Sequence, residues 1–126
     1  MPAEWSGELE VGKIAGMPQV QEHAILHVPS RTLIVADLFF NFGENASPWT
    51  RFVARRLMRL PEGRGMSPVF RSMIKNREVF PRSLRDIFAW DFDRIIVAHG
   101  EVIETGGKSE VAGGAGPSGD RFVAAL

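Results

Sequence analysis

The sequence predicts an α/β domain with a mixed sheet and about three helices. Three observations carry this. Short strand-type stretches fill the first 36 residues, a long middle segment changes to helical period, and one more β-rich run follows at Ile95. The two most apolar runs, Leu33-Ile-Val-Ala36 and Ile95-Ile-Val-Ala98, each end on a polar residue, Asp37 and His99. Between them lies enough chain for a helical crossover, which makes those two strands parallel neighbours.

Taken in order, residues 8–14 alternate polar and apolar and predict a strand, which Gly16-Met17-Pro18 ends. Residues 20–28 form a second extended segment with Ala24, Leu26 and Val28 on one face. Pro29-Ser30-Arg31 is a turn signal, so 20–28 and 32–36 read as a hairpin. The second arm is continuous and β-branched, as in a strand buried on both faces. Ser47-Pro48 supplies an N-cap and a first-turn proline for a helix carrying Phe52, Val53, Leu57, Met58 and Leu60. Ser67-Pro68 repeats the signal for a shorter helix with Val69, Phe70, Met73 and Ile74. Pro81 opens a third, with Leu84, Ile87, Phe88 and Trp90 towards the core. Ile95 to Ala98 is the last clear strand, and Val102-Ile103 pairs after it. Glycines crowd the end of the chain, which divides it into a domain over 1–104 and a flexible tail over 105–126.

Composition narrows the function. The 126 residues suit one domain, and 44% apolar with 24% charged residues suits a globular one. Lys+Arg and Asp+Glu are 15 each, which argues against a nucleic-acid partner held by bulk charge. There is no cysteine, so no disulfide, thiolate zinc site or cysteine nucleophile. Zinc or iron would need His and carboxylate ligands. No segment approaches the roughly 20 apolar residues of a membrane span, and Met1 to Glu10 lacks the pattern of a signal peptide, so the expected location is cytoplasmic.

The residues with chemical potential are few. Asp37 sits among apolar neighbours and needs a partner, which could be an arginine such as Arg31 or Arg94. His99, at the end of its strand, is read as a ligand or as a hydrogen-bonded structural residue. His23 and His27 lie four apart on a strand, a spacing that suits metal binding on a helix instead. Glu22 beside His23 is a weaker candidate. Arg51, Arg55, Arg56 and Arg59 read as the solvated face of their helix, without aromatic interleaving, before they read as a phosphate patch. Gly63-Arg64-Gly65 is no phosphate loop, and no nucleophile motif is present.

Together, "RTLIVADLFFNFG" and "DRIIVAHGEVI" resemble the C-terminal half of the metallo-β-lactamase fold superfamily, over about residues 10–107. The likeness is greatest to a small uncharacterised branch carrying "SRTLIV.DL.FN" and "AHG". The resemblance implies half of an αββα sandwich, with the helices on one face of the sheet. It implies metal-dependent hydrolysis, with Asp37 and His99 as ligands of zinc, iron or manganese, and Asn41 orienting a loop or substrate. The superfamily's His-x-His-x-Asp-His motif has no counterpart here. A further His upstream of the Asp would fall near Gly16-Met17-Pro18, where none stands. Three accounts remain open: a part of a longer protein, a small protein built on half the fold, or a branch without metal chemistry. In the last, Asp37 and His99 are structural and the chain is a non-catalytic interaction module. Half a sandwich leaves one sheet face uncovered, so a homodimer or a complex with another protein is expected.

Overall fold

A computed structural model describes residues 2–38, 40–42, 46–57, 64–65 and 72–108, with the backbone alone for 40, 41, 64 and 65. It is an α/β structure. Strands β1 (Leu9–Ile14), β2 (Glu22–His27), β3 (Thr32–Val35) and β6 (Arg94–Val97) form one mixed sheet in the order β1-β2-β3-β6. The first two pairings are antiparallel and β3–β6 is parallel, as a hairpin followed by a crossover requires. A short antiparallel pair, β4 (Phe40–Asn41) with β5 (Arg64–Gly65), lies within the crossover.

Two helices occur among the described residues. Helix α1 (Pro48–Arg56) begins where the sequence predicts, and the Ser47 hydroxyl accepts the Thr50 amide at 3.1 Å. Helix α2 (Val79–Phe88) begins two residues ahead of the predicted proline start. Asn76 accounts for the difference: its Oδ1 accepts the amides of Glu78 and Val79, each at 3.0 Å, and caps the helix before Pro81 is reached. Pro81 falls in the first turn, where its missing N–H costs nothing. The helix expected from Ser67-Pro68 lies outside the described residues except near its end, where Ile74 is buried. Among the described residues, no helix is long and apolar enough to cross a membrane.

The two faces of the sheet differ. On one, Leu26, Leu33 and Ile95 stand side by side in register, each at most 3% exposed. Helix α2 packs there through Phe80, Leu84 and Ile87. Gly12 of β1 permits the approach, since a Cβ at that position would meet Ile87 Cδ1 at 2.7 Å and Trp90 at 2.9 Å. Ser83 fastens helix to strand by accepting the Ala15 amide at 3.1 Å. On the opposite face, Val11, Ile25, Ile34 and Ile96 form one continuous aliphatic row across all four strands. Its two ends are open, with Val11 50% and Ile96 37% exposed. The expectation that β3 is buried on both faces therefore holds only in part: Leu33 and Val35 are buried, while Ile34 is half-buried.

Beyond β6 the chain doubles back. Gly100 adopts φ +126°, which a glycine tolerates, and Ile103 then exchanges both backbone hydrogen bonds with Ile95 at 2.9 Å. Residues just past the expected boundary at 104 pack on the domain. The Gly107 amide donates to Asp93 O at 2.7 Å, Lys108 Nζ donates to Trp90 O at 2.7 Å, and the same ammonium lies 4.9 Å from the centre of the Phe92 ring. The rest of the expected tail lies outside the described residues.

Candidate functional site

Parallel pairing of β3 with β6 sets Val35 opposite Val97. Two residues past the end of each strand, Asp37 and His99 emerge together at the carboxyl edge of the sheet, where α/β sheets commonly hold ligands. Their side chains meet: His99 Nε2 lies 3.1 Å from Asp37 Oδ1. The direction of this contact follows from the imidazole tautomer: Nε2 donates to an ionised carboxylate when it carries the ring proton. Both side chains are about half exposed, 51% for His99 and 48% for Asp37, so the pair is open to solvent and to a ligand.

The arginines proposed as partners for Asp37 are engaged elsewhere. Arg31, at the hairpin turn with φ +51°, makes a bidentate contact with Asp91, Nε to Oδ2 at 3.0 Å and Nη2 to Oδ1 at 2.8 Å. These hydrogen bonds hold the Asp91 carboxyl below its ordinary value and raise the Arg31 guanidinium. Arg94 Nε pairs with Glu104 at 2.9 Å.

Glu22, the weaker candidate, has a definite place beneath the pair. It is 3% exposed, yet its carboxylate is satisfied: Oε1 accepts the Ala36 amide at 2.8 Å and the Asp37 amide at 3.2 Å, and Oε2 lies 3.3 Å from the latter. Beyond Val35 the β3 backbone leaves the ladder, and the Glu22 side chain takes up the two amides that would otherwise be orphaned. A signal existed in the sequence. Period two places Glu22 on the same face as Ala24 and Leu26, and a carboxylate on a core-facing position needs donors.

The other histidines do not join this arrangement. His23 is exposed on β2. His27, about 13 Å along the strand by its rise, bonds through Nδ1 to Ser30 Oγ at 2.6 Å, and Ser30 bonds in turn to Thr32 Oγ1 at 2.7 Å. That network tightens the hairpin turn. The Asn41 backbone pairs with Arg64, and its side chain lies outside the described residues.

The same nitrogen and oxygen, 3.1 Å apart, can serve as adjacent ligands of one cation in the tautomer that carries the ring proton on Nδ1 and leaves Nε2 unprotonated. A catalytic zinc takes three protein ligands and keeps one open position. Among the described residues, no group of three or more His, Asp or Glu side chains is placed to hold a metal ion. Asp37 and His99 by themselves fall short of such a set among the described residues.

The arginine helix departs from expectation in one respect: aromatic residues do interleave with the cations. Trp49 and Phe52 stack with 5.7 Å between ring centroids and 23° between planes, beside Arg51, Arg55 and Arg56. Arg59 lies outside the described residues. Compared with protein-family models, with curated proteins and with solved structures, the chain gave no match.

Proposed function

We propose that the chain is a metallo-β-lactamase-like half-domain whose Asp37 and His99 form an incomplete metal site. The observation that supports this most directly is the 3.1 Å approach of the two side chains at the carboxyl ends of parallel neighbouring strands. The chemistry such a metal supplies is Lewis acidity, activating water to hydrolyse an ester, thioester, amide or phosphoester. The remaining ligands come from another polypeptide segment, so the chain alone binds a divalent cation weakly and catalyses no hydrolysis. Here Asp37 holds the His99 ring in one orientation, and Glu22 holds the Asp37 backbone.

Zinc and manganese titrations followed by calorimetry and by the histidine NMR signals test the reading. Expected is one weak site per chain, broadening or shifting His99 and lost in Asp37→Ala. No change at His99 at millimolar metal, or a site indifferent to Asp37→Ala, rejects it.

The aliphatic row on the open sheet face favours a second reading, a non-catalytic module that pairs with another copy or another protein and rebuilds a two-sheet sandwich. The row Val11, Ile25, Ile34 and Ile96 is the kind of surface a second sheet covers. A monodisperse monomer in light scattering, with no binding of an apolar dye, would sink it.

A further inference from the structure

Helix α1 is not used by the Asp37–His99 site. Of its nine residues only Ala54 is buried. Trp49 is 69% and Phe52 50% exposed. Arg51, Arg55 and Arg56 are exposed too, and among the described residues no carboxylate pairs with them. With Pro48 and Phe52 they line a shallow concavity of about 380 Å³. The helix contains no acidic residue, so a positive charge is concentrated there in a chain of zero formal net charge.

The arrangement on the helix narrows the ligand. Trp49, Phe52 and Arg56 follow one another at i, i+3 and i+7 on one face, and Arg51 and Arg55 flank Phe52 in the concavity. Solvation explains exposed arginines but not a Trp and a Phe exposed among them. A helix lying in a membrane interface would sort its rings and its cations onto opposite faces. A ligand presenting flat apolar surfaces beside regularly spaced negative charges matches the mixed face, and single-stranded nucleic acid has that chemistry.

We propose that α1 binds single-stranded nucleic acid, with Trp49 and Phe52 stacking on bases and Arg51, Arg55 and Arg56 contacting phosphates. The inference is independent of the metal-site reading. Three phosphate contacts give modest affinity and a slope of log K against log salt of about −2 for a single strand.

Fluorescence anisotropy with labelled oligo-dT and oligo-rU, using the full chain at low salt, is the test. A duplex of equal length and phosphatidylglycerol vesicles serve as comparisons. The single strands are expected to bind more tightly than the duplex and to quench tryptophan fluorescence. Trp49→Ala weakens binding about tenfold, and Arg55→Ala with Arg56→Ala removes it. These side chains are exposed, so the circular dichroism of the variants matches that of the parent. Three results overturn the proposal: no anisotropy change, binding of single strands and duplex alike with no effect of Trp49→Ala, or binding of the vesicles without the oligonucleotides.

Discussion

Glu22 holds the backbone of Asp37: a carboxylate at the start of β2 accepts the amide of the residue two places beyond the neighbouring strand. It takes the Ala36 amide as well, at 2.8 Å. The geometry of the edge pair therefore depends on a buried side chain from a strand that carries neither member of it.

Replacing Glu22 tests this dependence. Glu22→Ala leaves two part-buried amides without their acceptor and is expected to cost about 1 kcal/mol. Glu22→Gln keeps one acceptor oxygen and costs less. Urea denaturation measures the difference. Hydrogen exchange should show the Ala36 and Asp37 amides losing protection in Glu22→Ala ahead of the rest of the sheet.

Two of the closely packed glycines should differ in their tolerance. At Gly12 an added Cβ meets the tips of the Ile87 and Trp90 side chains, which can move. At Gly16 it meets the Asn76 carbonyl oxygen at 2.8 Å and Phe80 Cβ at 2.9 Å, and the backbone sits at φ +90°. Gly12→Ala is expected to cost about 1–3 kcal/mol from overpacking. Gly16→Ala adds backbone strain and costs more. Equal melting temperatures for the two variants would contradict this account.

The Arg31–Asp91 pair carries a pH signature. Because hydrogen bonds from Arg31 depress the Asp91 carboxyl in the folded chain, its contribution is fully present above the ordinary value of 3.8. It is lost as pH falls through the depressed folded value. Arg31→Met should move the Asp91 titration upward in carboxyl-detected NMR and leave stability at neutral pH little changed, since both groups are exposed.

The two faces of β3 should respond unequally to truncation. Leu33, 1% exposed between Leu26 and Ile95, is expected to cost about 2–5 kcal/mol on Leu33→Ala. Ile34 lies half-buried on the open face, and Ile34→Ala should cost clearly less in the monomer. If the chain associates through that face, Ile34→Ala weakens association more than it weakens folding, a distinction sedimentation analysis can read.

Much of this was legible along the chain. Period two marked β1 and β2 because alternation follows from the pleat of an extended backbone, while β3 and β6 stood out as short continuous β-branched runs. Ser47 marked the start of α1 because a cap is a local hydrogen bond. The apolar runs ending at Asp37 and His99 implied parallel neighbours, and with them the proximity of the pair. What a side chain bonds to is a different matter, since it depends on register and on the approach of distant segments. Only the tertiary structure gave Asp37 to His99 instead of Arg31 or Arg94, set Glu22 under the Ala36 and Asp37 amides, moved the start of α2 forward to the Asn76 cap, and packed Gly107 and Lys108 against the segment that leads into β6. Local periodicity is written into successive residues. Partner choice is decided where strands far apart in sequence come within hydrogen-bonding reach.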